Sequence, residues 1–350
     1  MSAGPQGRDI HAFDVLTPDR VVDALIDLGL AADGRITPLN SYENRVYLAH
    51  LDTPHEGHNA VVLKFYRPDR WSREQILEEH RFAAELAQAE VPVVAPLSMG
   101  GQTLHQSAPF WFSVSPRRGG RAPDLDDAGT LEWIGRFLAR LHTVGSVRAF
   151  EHRPRIDIER FIELPRQWLL QHACVAPQAH ERWCKALDIA TQLVASAFER
   201  ALATGPFEDT KSCQLLRVHG DCHVGNILWT PADQPGAGPH FVDLDDCASS
   251  FAVQDLWMLL SGDRAQRQIQ LIDLMEGYQQ VRSFDERELA LIEPLRTLRL
   301  VHYSAWLARR ATEPAFVQAF PWFGTAAYWD EQVVLLQEQA ESMSEPALRI

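Results

Sequence analysis

Residues 219–226 read HGDCHVGN, and an apolar run, ILW, follows directly at 227–229. Further along the chain, a second apolar pair leads straight into Asp243. Asp221, Asn226 and Asp243 are therefore expected at strand ends or in the loops of short hairpins. This order of side chains suits phosphoryl transfer, which needs a base for the accepting hydroxyl and oxygen ligands for Mg²⁺. The sequence predicts Asp221 as the catalytic base, and Asn226 and Asp243 as the metal ligands.

Each of these three residues also has a structural interpretation. Asp221 could be an ordinary turn residue after Gly220, Asn226 could cap a helix or a turn, and Asp243 could lie at the surface. The catalytic interpretation is favoured because all three occur in one short segment in the required order. An aspartate directly after an apolar pair that resembles a buried strand is also seldom without a role.

A lysine in an apolar strand is the next candidate. Residues 61–66 read VVLKFY, and strand alternation places Lys64 on the same face as Tyr66. Burial of a lysine is costly unless a carboxylate or the phosphate oxygens of ATP compensate its charge. Glu79 lies on the apolar face of the helix predicted to follow, and it is a better partner for Lys64 than the neighbouring Glu78. The alternative for Lys64 is a solvent-facing position on an edge strand.

The turn at 40–44 reads NSYEN and contains no glycine. Its polar side chains Ser41, Glu43 and Asn44, together with backbone amides, are candidates to cover the phosphates of a nucleotide. The alternative is an ordinary turn between two strands.

Composition limits the possible partners and surroundings. The chain has 350 residues, a net charge of −14 and 46% hydrophobic residues, enough for two lobes with their own cores. The negative charge argues against nucleic acid or a membrane surface as the main partner, because both attract cationic proteins. The five cysteines lack paired metal spacing, and no apolar run approaches twenty residues. We therefore expect a cytoplasmic protein with free thiols and with a flexible N-terminus at 1–12.

The apolar pattern changes along the chain from strand-like to helical. Strands are predicted near 35–39, 45–51, 60–66, 93–96 and 110–115. Two capped helices are also predicted: one begins after Thr17, with Val22, Leu25, Ile26 and Leu30 as its apolar stripe, and the other begins after Ser72. Helices are predicted near 131–142, 168–202, 253–260, 266–278, 286–310 and 328–341. The sequence thus predicts an α+β fold of two lobes: a nucleotide-binding N-lobe at 13–116 with a small antiparallel sheet and a helix, and a mainly helical C-lobe at 117–350. The C-lobe is expected to hold the catalytic loop, the metal site and the substrate region.

Other polar residues near the motif are interpreted as structural. Asp255 is expected to bond backbone beneath the catalytic loop, and His142 and His219 are expected to be buried, hydrogen-bonded histidines. Asp245 and Asp246 are interpreted as loop acids with an electrostatic role, and the alternative is that they hold a second metal or face the substrate. Cys222 is interpreted as a packed small residue, or as an oxidant sensor if its pKa is lowered.

These motifs resemble those of the aminoglycoside phosphotransferase and choline kinase branch of the protein-kinase-like fold, in which the catalytic segment reads His-Gly-Asp-x-His-x-x-Asn. More specifically, the chain is similar to the bacterial stress response kinase A family of serine/threonine protein kinases. The matching stretches run through nearly the whole chain: PLNSYENRVY at 38–47, KFYRP at 64–68, QILEEH at 75–80, HGDCH at 219–223, FVDLDD at 241–246 and VQDLWMLL at 253–260.

The resemblance implies a two-lobed kinase with ATP in the cleft. It implies Asp221 as the base, Asn226 and Asp243 as ligands of Mg²⁺, and Ser41 as a residue of the phosphate loop. It further implies a protein substrate or the chain itself as acceptor, through serine or threonine hydroxyls, and a cytoplasmic role in stress survival. We expect a monomer.

Two other functions are compatible with the same motif. A small-molecule kinase for choline, homoserine or an aminoglycoside presents its hydroxyl to the same base. Trp257, Tyr303, Trp306 and Glu293 could line a pocket for such a cationic acceptor, or could be helix core. A catalytically silent nucleotide-binding module is the third possibility, and the complete set of base, metal and lysine positions argues against it.

Overall fold

Two units are present in the computed structural model, which describes residues 13–203 and 213–350. The first comprises the described residues up to Ala84 together with Val94–Arg118, and the second comprises Glu85–Val93 and Gly119–Ile350. The expected flexible segment at 1–12 lies outside the described residues.

The first unit contains an antiparallel sheet of five strands, in the spatial order 32–39, 45–55, 58–65, 110–116 and 105–107. Four of its five strands were expected from the sequence and are longer than expected, whereas the short strand at 105–107 was not predicted and the predicted strand at 93–96 is not formed. The strands are β1 (Ala32–Leu39), β2 (Arg45–His55), β3 (His58–Phe65), β4 (His105–Ser107) and β5 (Phe110–Pro116).

Helices α1 (Pro18–Asp27) and α2 (Arg73–Gln88) begin at the caps that the sequence predicts. The Arg20 amide donates to the Thr17 hydroxyl at the start of α1. At the start of α2, the Gln75 amide donates to Ser72 Oγ while the Ser72 amide donates to the Gln75 side chain, which forms a capping box. Because each cap depends on residues three positions apart, local sequence is enough to predict it.

The second unit is mainly helical and also contains two two-stranded ribbons. Its helices follow the predicted apolar pattern closely, although the short helix α9 was not predicted. The helices are α3 (Ala128–Gly145), α4 (Leu164–Gln171), α5 (Pro177–Leu202), α6 (Val253–Trp257), α7 (Arg264–Tyr278), α8 (Ile292–Ala308), α9 (Pro314–Ala319) and α10 (Ala326–Ser344). None of the helices in the described part of the chain is both long and apolar enough to cross a membrane.

Helices α3 and α7 approach each other so closely that two glycines form the contact. A Cβ atom on Gly135 would lie 1.9 Å from the carbonyl oxygen of Leu274. A Cβ atom on Gly277 would lie 1.8 Å from the carbonyl oxygen of Glu132. The obstacles are backbone atoms, which cannot rotate away, so an alanine at either position would force the helices apart.

Gly135→Ala is therefore expected to lower the free energy of unfolding by at least about 2 kcal/mol, the range typical of overpacked helix contacts. Gly129→Ala on the same helix is the matched control. Its added Cβ would meet only the Asp127 side chain at 3.6 Å, an ordinary contact. That variant should be neutral or more stable, since alanine is the better helix former. Denaturant unfolding followed by tryptophan fluorescence measures both variants, and equal midpoints would contradict the close-packing interpretation.

The two ribbons position the motif residues. Strands β6 (Leu216–Val218) and β9 (Ala248–Ser250) pair antiparallel, and β7 (Ile227–Thr230) pairs antiparallel with β8 (Gly238–Phe241). The Pro- and Gly-containing segment at 231–237 connects β7 and β8. The HGDCHVGN sequence at 219–226 lies between β6 and β7.

Candidate functional site

The register of the β7/β8 ribbon brings Asn226 and Asp243 to the same end. Ile227 pairs with Phe241, and the Val242 amide donates to the Asn226 carbonyl at 3.0 Å. Asn226 therefore precedes its strand at the point where Asp243 follows the partner strand. A local hairpin thus places two oxygen-bearing side chains, 17 positions apart in sequence, at one end of a ribbon.

Asp243 has a left-handed backbone conformation, with φ 61° and ψ 60°. This region is uncommon for residues other than glycine, and aspartate and asparagine tolerate it best. The conformation ends the strand abruptly and starts a 3₁₀ turn at Leu244–Asp246. Strain of this kind is typical of functional sites, where the surrounding structure holds a residue in a rare conformation.

Asp221 lies beside Asn226. The Asn226 side-chain amide donates to the Asp221 carbonyl at 2.9 Å and lies 3.5 Å from the Asp221 carboxylate oxygen Oδ2. His223 Nε2 is also 3.5 Å from Oδ2. Burial lowers the pKa of His223, and nearby Arg299 and His219 lower it further while Asp221 opposes them. The contacts of Oδ2 with Asn226 and His223 are therefore both long, at 3.5 Å.

The other oxygen of Asp221, Oδ1, forms an ion pair with Arg299 on helix α8. This partner is 78 positions away, and nothing in the local sequence indicates it. Arg299 thereby restricts the orientation of the carboxylate, and this ion pair does not use Oδ2. The Arg299 contact is the main feature of the site that the sequence did not predict.

The donor set suits a hard divalent cation. Asp243 offers a carboxylate and Asn226 an amide oxygen, the ligand types that Mg²⁺ takes together with water and phosphate oxygens. Among the described residues, no group of three or more His, Cys, Asp or Glu side chains could hold a metal ion. Two protein oxygen donors leave the other coordination positions of such a cation to water and phosphate oxygens.

Asp255 supports the loop from below, as the sequence predicts. Its two carboxylate oxygens accept from the backbone amides of His219 and Gly220, each at 2.8 Å. Oδ2 also contacts His142 Nε2 at 3.0 Å, and the other ring nitrogen of His142 lies 2.9 Å from the Tyr278 hydroxyl. All of these groups are buried. The expectation that both histidines are buried and hydrogen-bonded is confirmed, since His219 Nε2 donates to the Val242 carbonyl at 2.9 Å.

Gly220 is required by the backbone of the loop. Its φ is +85°, and a Cβ atom would lie 2.2 Å from the carbonyl oxygen of Asp246. Gln254 Nε2 donates to the Gly220 carbonyl at 2.9 Å. The residue before Asp221 is thus held by hydrogen bonds on both its amide and its carbonyl.

Glu288 is a buried acid beneath the same platform. Its carboxylate accepts from the Val253 amide at 2.9 Å, at the first residue of α6. Burial raises the pKa of Glu288 from an ordinary value of 4.5 to about 7, with Asp285 adding to the effect, while the Val253 and Ala252 amides and Arg282 oppose it. The sequence pattern showed no sign of this group, because burial depends on how α6 and the 286–291 turn pack.

This pKa predicts a pH-dependent contribution to stability. Between about pH 4.5 and 7, the folded chain retains the Glu288 proton and the unfolded chain loses it, so the free energy of unfolding decreases as pH rises. Glu288→Gln cannot ionise and should lack this decrease. The stability difference between variant and wild type should change by up to about 3 kcal/mol between pH 4.5 and 7, measured by denaturant unfolding. The exposed Glu286→Gln serves as control, and parallel pH profiles for Glu288→Gln and wild type would contradict the prediction.

Cys222 does not fit the oxidant-sensor alternative. Its side chain is fully buried. Burial raises the pKa of the thiol well above its usual value, and the carboxylates of Asp255 and Asp221 raise it further. Because the reactive form is the exposed thiolate, Cys222 is a packed small residue.

In the first unit, Lys64 Nζ lies 3.7 Å from Glu79 Oε1, and both side chains are largely buried. Lys64 is the penultimate residue of β3, the central strand of the sheet, and it pairs with Val46 and Ser113 on the neighbouring strands. Its ammonium also lies 5.1 Å from the centre of the Tyr66 ring. The choice of Glu79 over Glu78 as the lysine's ion-pair partner thus agrees with the observed geometry.

The turn at 40–44 is anchored by its own side chains. Glu43 forms ion pairs with Arg67 at 3.0 Å and Arg70 at 3.6 Å. The buried Asn44 accepts from the Arg67 amide at 3.1 Å. Glu43 and Asn44 therefore shape the turn, whereas Ser41 lies half-buried at its start.

Two of the residues considered for a cationic acceptor pocket, Glu293 and Trp257, already contact arginines. Glu293 pairs with Arg267 at 2.9 Å and lies 3.6 Å from Arg296. The Arg296 guanidinium lies 5.3 Å from the centre of the Trp257 ring. The acid and the aromatic ring that would attract a cationic ligand are thus engaged by the protein itself.

Comparison with known proteins agrees with this geometry. The phosphotransferase enzyme family matches residues 35–292. The chain is 44% identical to stress response kinase A of Escherichia coli K12 over 339 residues, which covers 97% of each protein. It is 43% identical to the serine/threonine protein kinase RdoA of Salmonella typhimurium, again over 97% of both chains.

Two solved structures share the fold at low sequence identity. An amicoumacin kinase in complex with AMP-PNP, Ca²⁺ and its ligand superposes with a TM-score of 0.68 at 18% identity, covering 94% of this chain and 95% of that one. A microcompartment-associated aminopropanol kinase also has a TM-score of 0.68, at 20% identity, with 94% and 99% covered. The predicted α+β, kinase-like fold and the family resemblance are both confirmed. The chain is a phosphotransferase, and it belongs to the phosphotransferase enzyme family and, within it, to the stress response kinase A family.

Proposed function

We propose that this chain is a serine/threonine protein kinase that uses ATP and Mg²⁺ and can phosphorylate itself. The observation that carries the proposal is the β7/β8 register, which brings Asn226 and Asp243 together beside Asp221. The names of relatives at 43–44% identity support a protein acceptor and a role in stress response.

Asp221 is proposed as the catalytic base. Its Oδ2 orients the acceptor hydroxyl and takes its proton as the hydroxyl oxygen bonds to the γ-phosphorus. The bond between that phosphorus and the bridging oxygen breaks, and ADP leaves with the electron pair. Arg299 and Asn226 hold the Asp221 side chain and backbone in place during this step.

Asn226 and Asp243 are proposed to hold Mg²⁺. When bound, the ion neutralises charge on the phosphate oxygens and fixes their position. In the first unit, Lys64 is proposed to contact the phosphates, with Glu79 fixing its ammonium. Ser41 is proposed to cover the phosphates, while Glu43 and Asn44 contribute by shaping the turn that presents it.

The contacts around Trp257 and Glu293 favour a protein acceptor over a cationic alcohol. A choline-like or aminoglycoside-like ligand would compete with Arg296 for the Trp257 ring and with two arginines for Glu293. Desolvating a second cation beside these groups is unfavourable. We further propose that the chain acts as a monomer in the cytoplasm, where its five free cysteines would remain reduced.

Transfer of label from γ-labelled ATP tests the proposal. The full chain is incubated with Mg²⁺ and ATP, alone and with one acidic and one basic generic protein, beside Asp221→Asn. The expected result is label on serine or threonine of the chain or of an added protein, absent in the variant. Label on no protein, together with turnover on an alcohol in a metabolite screen, would overturn the protein-kinase proposal in favour of a small-molecule acceptor.

A further inference from the structure

Two arginines on α8 lie next to the catalytic loop. Arg296 and Arg299 are three positions apart, so their side chains lie on the same side of the helix. Arg299 pairs with Asp221, and its side chain is 40% exposed. A guanidinium has five N–H donors in a planar fork, so the exposed part of Arg299 can bind a second anion while it holds Asp221.

Arg296 is linked to the same loop through α6. It lies over the Trp257 ring, and Trp257 Nε1 donates to the Gln254 side chain at 3.2 Å. Gln254 in turn donates to the Gly220 carbonyl at 2.9 Å. The position of Arg296 is therefore defined relative to the residue that precedes Asp221.

In the ion pairs around these two arginines, guanidinium groups outnumber carboxylates. The guanidinium groups of Arg267, Arg296 and Arg299 face two carboxylates, those of Glu293 and Asp221. Burial lowers the pKa of Arg296, and Arg267 lowers it further while Glu293 opposes both. Arg296 is thus partly buried and shares the Glu293 carboxylate with Arg267. An incoming anion would be stabilised beside its guanidinium.

We propose that Arg296 and Arg299 select an acceptor whose hydroxyl lies next to acidic side chains. This inference rests on the proposed function, because it names the class of protein segment that the kinase phosphorylates. The acceptor serine or threonine approaches Asp221, and a flanking Asp or Glu pairs with the partly exposed guanidinium groups. A segment with flanking lysines would be disfavoured by the same charges.

Matched peptides test this selectivity with the full chain. Each pair of serine peptides differs only in Asp against Asn, or Glu against Gln, at one position within four residues of the serine. The measured quantity is the ratio of kcat/KM for the acidic peptide to that for its amide counterpart. A ratio within one enzyme variant cancels any general loss of activity or of folded protein. Wild type is expected to favour the acidic peptide by about ten-fold at the best position.

Arg296→Gln and Arg299→Gln should each bring this ratio toward one, mainly through KM of the acidic peptide. The matched control is Arg309→Gln, on an exposed arginine at the end of the same helix, about 15 Å further along its axis. That variant should keep the wild-type ratio. Raised salt should reduce the wild-type ratio, because the guanidinium groups are partly exposed.

The peptide selectivity and the proposed kinase function would be refuted by different results. A wild-type ratio of one or below at every position, or an unchanged ratio in both arginine variants, would refute the selectivity while leaving the kinase assignment intact. Phosphorylation of no peptide and no protein by wild type, with turnover on a small alcohol, would refute the proposed function itself.

Discussion

Asp221→Asn is expected to lower kcat for phosphoryl transfer by about 10²–10⁴, the usual loss when a general base is removed. An amide has the same shape as the carboxylate but cannot take the hydroxyl proton. It also weakens the contact with Arg299, because the charge of the pair is lost. The Asn226 bond to residue 221 uses the backbone carbonyl and should remain. The variant should therefore fold normally and still bind nucleotide.

The measurement is initial rate of label transfer at saturating ATP, with thermal unfolding of the same preparation. Asp233→Asn, an exposed aspartate in the segment between β7 and β8, is the control and should retain full activity. Near wild-type activity in Asp221→Asn would refute its role as base. A large drop in unfolding temperature would mean that the loss reflects folding and not chemistry.

Substitution of Asp243 is expected to remove Mg²⁺-dependent turnover. Asp243→Ala eliminates the proposed ligand, but the left-handed backbone conformation at this position, with φ 61°, is strained for alanine. Asp243→Asn is the sharper test, because asparagine tolerates this conformation and keeps one oxygen while losing the charge. We expect at least a hundred-fold lower kcat/KM in the alanine variant, and a higher Mg²⁺ concentration for half-maximal rate in the asparagine variant.

A Mg²⁺ titration at fixed ATP measures both effects. If Asp243→Asn lowers activity only because it binds Mg²⁺ more weakly, raised Mg²⁺ should restore part of the rate. An unchanged Mg²⁺ dependence in both variants would contradict the metal-ligand assignment. Asp233→Asn again controls for the loss of one surface charge.

Structural features that depend on residues close together in the sequence were predictable. The caps at Thr17 and Ser72 depend on bonds across three positions. The strand alternation around Lys64 and the apolar runs on either side of the catalytic loop also depend only on local spacing. Such patterns predicted the helices of the second unit well, apart from the short α9.

Long-range packing corrected several local interpretations. The expected apolar stripe of α1 included Ile26, which is 60% exposed, whereas Val21 is fully buried. Cys222, considered as a sensor, is enclosed by the fold. Glu293 and Trp257, considered as lining for a cationic ligand, contact arginines from α7 and α8.

The sequence by itself determined the α+β class, through the change of apolar period along the chain. It also determined the order of Asp221, Asn226 and Asp243 and the hairpin that joins Asn226 to Asp243, since both depend on spacing within one short segment. The tertiary structure alone decided that Arg299 holds Asp221, that Glu288 is buried beneath α6, and that α3 and α7 meet at glycines. These contacts join residues many tens of positions apart. Their energies come from burial and from charge pairing between elements, and no periodicity within an element encodes its partner.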